Sequence, residues 1–216
     1  MAGGADRVAD RERAGRVDGP QGDAQMAKLE IIVGSVRPGR VGLPVAQWIE
    51  QEARTHGGFE EIELVDLAEV DLPMADEPEH PRLRRYVHQH TKDWSAKIDE
   101  ADAFIFVMPE YNYGYNAALK NAIDYLHHEW SYKPVGLVSY GGVSAGTRAA
   151  QMIKQVVTTV KMFPVPEAVQ IPFVANFLTA ERTIAPNEVM TGAAKTMLDE
   201  LVRMTGALRS LRTGQD

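Results

Sequence analysis

Cysteine is absent from the 216 residues. That removes disulfide scaffolds, thiolate metal sites, cysteine nucleophiles and dithiol redox motifs. Long apolar runs are also missing: Phe104-Ile105-Phe106-Val107-Met108 falls far below the ~18 residues a membrane span needs. Positive charge is in short supply, with Lys+Arg 23 against Asp+Glu 30 and a net charge of -7. A broad phosphate-neutralising face for nucleic acid is therefore not expected, although one small cationic pocket for a phosphate is compatible. Met1 to Gln25 has no apolar segment of the kind a secretory signal carries, so cytoplasm is the expected compartment.

What is present has ordinary globular proportions, 44% hydrophobic and 25% charged, for which global disorder is not expected. Residues 1–25 alternate small and charged residues with almost no large hydrophobes and read as a disordered tail, leaving residues 26–216 as one domain. From Lys28 onward, strands and helices alternate. Strands are expected at Leu29–Val33, Ile62–Val65, Phe104–Met108, Val135–Tyr140 and, more weakly, Ala168–Ile171. Helices are expected at Leu43–Thr55, Ala117–Leu126, Ala145–Val160 and Glu188–Leu208. Ala46, Ile49 and Ala53 give the first helix its apolar stripe. The stretch from Leu67 to about His90, broken by Pro73, Pro78 and Pro81, reads as irregular and suits a lid or an interface. Alternation of this kind predicts parallel βαβ units and a doubly wound three-layer α/β domain.

Three loops could carry chemistry. Gly34-Ser35-Val36-Arg37-Pro38-Gly39-Arg40 runs from the first strand into a helix, where free backbone N–H groups and the helix dipole attract anions. Ser35 adds a hydroxyl and Arg37 a fork suited to phosphate oxygens. A nucleotide-triphosphate loop has similar glycine spacing, but Arg40 and Val41 stand where Lys and Ser/Thr are needed. The alternative is a glycine-rich turn with a surface arginine. Pro109-Glu110-Tyr111-Asn112-Tyr113-Gly114-Tyr115-Asn116 follows the third strand. Its tyrosines suit a flat aromatic ligand, or else packing against a helix or a second subunit. Ser139-Tyr140-Gly141-Gly142-Val143-Ser144-Ala145-Gly146 follows the fourth strand and has nucleophile-elbow spacing. All six histidines precede Ser144, so the hydrolase order of residues fails and a glycine-floored ligand edge is the better reading. No histidine cluster has helical ligand spacing, so no metal site is expected and the histidines read as solvent-exposed or interfacial. In strand order 2-1-3-4-5 these three loops adjoin one crevice. One cofactor with a terminal phosphate and a planar ring system satisfies all of them, and FMN is the economical candidate.

Together with Leu119-Lys120-Asn121-Ala122-Ile123-Asp124, these segments resemble the NADPH-dependent FMN reductase family of flavodoxin-like proteins, from about Lys28 to Val174. The resemblance implies a flavodoxin-like three-layer sandwich on a parallel five-stranded sheet. It also implies non-covalent FMN reduced by NADPH or NADH, and a homodimer or dimer-based tetramer. Ser35 and Arg37 would then hold the phosphate with the backbone through Gly42. Pro109, Glu110, Tyr111, Asn112 and Tyr113 would line the isoalloxazine, and Ser139, Tyr140, Gly141 and Gly142 would flank its other edge. Many relatives carry Ser and Asn in the turn where Val41, Gly42, Leu43 and Pro44 stand here, so Arg40 or bare backbone must compensate. The implied reaction is ping-pong, with electrons passed to a quinone, flavin, azo compound or metal ion. It needs no dedicated catalytic side chain, because the cofactor carries the chemistry. A flavodoxin-like electron carrier without NADPH turnover, and a regulatory module without cofactor, are the competing expectations.

Overall fold

The computed structural model describes residues 27–213, so the expectation of a disordered tail lies outside the described residues. Five parallel strands form one sheet in the order β2-β1-β3-β4-β5: β1 Lys28–Val33, β2 Glu61–Asp66, β3 Ala103–Pro109, β4 Pro134–Tyr140 and β5 Phe163–Ile171. The expected topology is thus present. Among the described residues six α-helices accompany it: α1 Gly42–His56, α2 Leu67–Val70, α3 Gln89–Glu100, α4 Ala117–Asp124, α5 Thr147–Thr159 and α6 Glu188–Thr213.

Strand period explains the layering. In β1, Leu29, Ile31 and Val33 join the core beneath α1 and α6. Ile32 points the other way, into the core shared with α3, α4 and α5. β3 and β4 are buried along their whole length, as strands covered on both faces must be. β5 is an edge strand and tolerates Pro164 and Pro166 there.

Several expectations shift, including that of an irregular stretch from Leu67, which opens with the short helix α2. Gln89–Glu100 is a helix that the sequence reading passed over; its buried stripe is Thr91, Trp94, Ser95 and Ile98, and only Trp94 and Ile98 of these are apolar. α5 begins at Thr147 rather than Ala145 because Ala145 and Gly146 take φ of 53° and 78°, which no right-handed helix admits. β5 starts at Phe163, not Ala168, and a register shift opposite Val135 and Leu137 disguises its period. The irregular stretch before α3 is tied down. Asn121 Nδ2 donates to Pro73 O at 2.7 Å, and Glu77 accepts from the N–H groups of Val87 and His88. His127 corrects the expectation of exposed histidines: it is buried, accepts from Arg82 Nε at 3.0 Å, and burial lowers its pKa. No helix among the described residues is long and apolar enough to cross a membrane.

Candidate functional site

The carboxyl ends of β1, β3 and β4 are neighbours, since β3 pairs with both β1 and β4. The three expected loops therefore share one mouth. Gly34 N–H donates to Val107 O at 2.9 Å, and Asn116 Nδ2 reaches back to Gly34 O, fastening the first loop to β3 and to the start of α4. Tyr140 Oη donates to Ser35 Oγ at 3.1 Å, fastening the same loop to β4. Burial pushes the Tyr140 phenol up to about 12, so it stays a neutral donor. Ser35 is wholly buried and, having accepted from Tyr140, retains its own proton to donate.

The first loop leads into α1, whose N-cap Val41 makes no side-chain hydrogen bond and whose first turn has no acidic residue. An anion at this helix end thus meets no competing side-chain cap. Gly42 sits where a Cβ would lie 2.3 Å from Ser35 Oγ and 2.7 Å from Tyr140 Oη; close packing at the helix entrance requires glycine there. Leu43 and Pro44 follow inside the first turn, where Pro costs no hydrogen bond. Arg37 is exposed, with its guanidinium 6.0 Å from the Tyr111 ring centre. Arg40 instead ion-pairs with buried Asp66 at the end of β2. Its backbone carbonyl and that of Gly39 accept from Arg182 Nη2 at 3.2 Å each. Arg182 was not foreseen, lying 142 residues from Arg40 with no local motif to announce it. A pocket of about 260 Å³ between Val36, Leu72 and Ala118 adjoins this loop.

The second loop turns sharply after Pro109. Tyr111 and Tyr113 stand exposed on it, and Asn112 lies between them. Glu110 N–H donates to Tyr140 O at 3.0 Å, bringing the second and third loops together. The Glu110 carboxylate then crosses to the start of α5. It accepts from Ser144 Oγ at 2.9 Å, Arg148 N–H at 3.1 Å and Arg148 Nε at 2.6 Å. Burial alone would raise its pKa, but these donors outweigh burial and lower it, keeping the group an anion. The α5 N-terminus is thus filled by the chain's own carboxylate, and Arg148 is committed to it.

In the third loop Ser139 is buried and its Oγ donates to Ala145 O at 2.9 Å. Gly141 and Gly142 are fixed by β5 and its continuation: Gly141 N–H donates to Ile171 O, and Phe173 N–H to Gly142 O. A Cβ on Gly142 would meet nothing within 4 Å, so the edge is open. Two buried polar atoms at the first loop lack a partner among the described residues, Arg40 Nε and Asn116 Oδ1.

The sequence model of the family described as NADPH-dependent FMN reductase matches residues 27–176. An NAD(P)H-dependent FMN reductase of Schizosaccharomyces pombe is 44% identical over 141 residues, 64% of this chain and 70% of the relative. An FMN-dependent NADPH-azoreductase of Staphylococcus saprophyticus is 29% identical over 141 residues, 63% of this chain and 72% of the relative. The solved FerB flavoenzyme, an NAD(P)H:(acceptor) oxidoreductase from Paracoccus denitrificans, shares the fold. Its TM-score is 0.67 at 21% identity, covering 84% of this chain and 98% of FerB.

Proposed function

The chain belongs to the NADPH-dependent FMN reductase family, and from that premise we propose that it is an FMN-dependent oxidoreductase. It takes hydride from NADPH or NADH and passes the electrons to a small acceptor such as a quinone, flavin, azo compound or metal ion. The observation that carries this reading is the convergence of three loops on one mouth. An uncapped helix end beside Arg37, a tyrosine-bearing turn and an open glycine edge all stand there.

These residues fit FMN by their chemistry. The α1 end offers backbone donors and positive dipole without a competing carboxylate, the unpartnered Asn116 Oδ1 offers a buried acceptor, and a planar ring system suits the tyrosines and glycines. When bound, FMN supplies hydride acceptance and electron release to a second substrate. The protein binds and orients. Ser35, Arg37 and the backbone of Val41, Gly42 and Leu43 hold the phosphate. Arg40 braces the loop against Asp66 through Nη2 and keeps an unpartnered Nε donor for the phosphate side of the loop. Pro109 to Tyr113 line the ring on one side and Ser139 to Gly142 on the other. Glu110 stays ionised and ties the loops after β3 and β4, with no proton to give at neutral pH. The protein works as a homodimer, a reading supported by exposed Met152 near Gly114 and exposed Phe173 beside Gly142.

Purified protein is expected to be yellow, to release FMN on denaturation, and to oxidise NADPH with a quinone or ferricyanide. Colourless protein that takes up no FMN overturns the proposal.

A further inference from the structure

The turn bearing the two exposed tyrosines is built from an awkward residue for its shape. Tyr111 and Gly114 exchange backbone hydrogen bonds of 2.8 and 2.9 Å. Both residues between them sit at positive φ, Asn112 at 50° and Tyr113 at 70°. Two-residue hairpin turns of this kind favour Asn-Gly or Asp-Gly. Asparagine tolerates the left-handed region, whereas a bulky aromatic is strained there. A contact from outside must hold Tyr113 in place.

Arg148 makes that contact. Its guanidinium carbon lies 3.7 Å from the Tyr113 ring centre, close enough for flat stacking. The other side of the clamp is rigid. Arg148 Nε and Nη2 pair with Glu110, whose side chain is only 6% exposed, and Nη2 also donates to Ser144 Oγ at 2.5 Å. These bonds commit Nε and Nη2 to the chain itself.

We propose that Arg148 is a positioning residue for the flavin. Stacked on Tyr113 and anchored by Glu110, it keeps the Tyr111–Gly114 turn in the one shape that meets FMN. The inference rests on the cofactor reading above and adds a residue that acts through the turn rather than by touch.

The test is a double-mutant cycle of Arg148→Met and Tyr113→Gly in the full chain. It is read by FMN titration of flavin-stripped protein and by urea unfolding of the same protein without flavin. Glycine takes this backbone conformation without strain, so the clamp becomes superfluous. Arg148→Met is expected to weaken FMN binding about tenfold in the parent and less than about twofold in the Tyr113→Gly background. Arg148→Lys, which keeps the charge but cannot stack flat, is expected to behave as Arg148→Met does. The unfolding midpoint likewise falls more in the parent background than in the glycine one. Equal losses of FMN affinity in the two backgrounds, or none in the parent, overturn the proposal. Failure of the parent to bind FMN brings down the cofactor reading, and equal midpoint shifts in the two backgrounds overturn the clamp whether or not FMN binds.

Discussion

Glu30 offers the sharpest quantitative test of the structure. It sits in β1 with no exposed surface and with neither carboxylate oxygen hydrogen-bonded. Burial raises its pKa from 4.5 to about 8, against the opposing pull of Lys97, Lys28 and Lys133 and with the help of Glu63. Lys28 and Lys97 are themselves engaged by Glu63 and Glu100. Between pH 4.5 and about 8 the folded chain therefore binds a proton that the unfolded chain has released, and stability falls as pH rises through that window. At ~1.4 kcal/mol per pH unit, the rise from 4.5 to 7 costs about 3 kcal/mol. Glu30→Gln keeps the shape but cannot ionise. The difference in unfolding free energy between this variant and the parent should grow in the variant's favour by about 3 kcal/mol from pH 4.5 to pH 7, then level off above pH 8. Urea unfolding of flavin-free protein at a series of pH values measures it, with flavin excluded because any ligand of the folded state shifts the curves. A difference that stays flat with pH would mean that Glu30 is ionised in the folded protein, and the reasoning would fail.

Other perturbations address the mouth. Arg37→Ala should weaken FMN binding by ~1.5–3 kcal/mol through loss of a charge-assisted phosphate contact; an unchanged titration would reject the phosphate assignment. Gly141→Val should block flavin occupancy while the far-ultraviolet circular dichroism stays native, since the nearest atom to a Cβ there is 3.4 Å away. Normal flavin content would count against placing the ring at that loop. Gly42→Ala forces a methyl against Ser35 and Tyr140 and should lower stability by about 1–3 kcal/mol, measured by urea unfolding. A neutral result would mean that the α1 entrance yields more readily than its packing implies.

Much of the architecture could be read before any coordinates. β1, β3 and β4 announce themselves as β-branched or apolar runs ending in glycine- or proline-bearing loops, and their alternation with helices implies a parallel sheet. Since ligand crevices in such sheets open beyond the carboxyl ends of strands, the three loops could be assigned to one mouth as well. α3 escaped because two of its four buried positions are Thr91 and Ser95, so its apolar period is too thin to register. The start of α5 escaped because left-handed backbone at Ala145 leaves no mark in the residue type.

The division between the two levels has a physical basis. Periodicity and turn chemistry are local, so residue order alone dictated the strands, most of the helices and the loops between them. Contacts between distant residues depend on how the layers close. Tyr140 meets Ser35 across 105 positions, Arg182 reaches Gly39 across 143, and Glu110 caps α5 across 38. Glu30 shows the limit most clearly. Nothing in a glutamate between Leu29 and Ile31 announces burial, and only the packing over that face of β1 makes it a buried group.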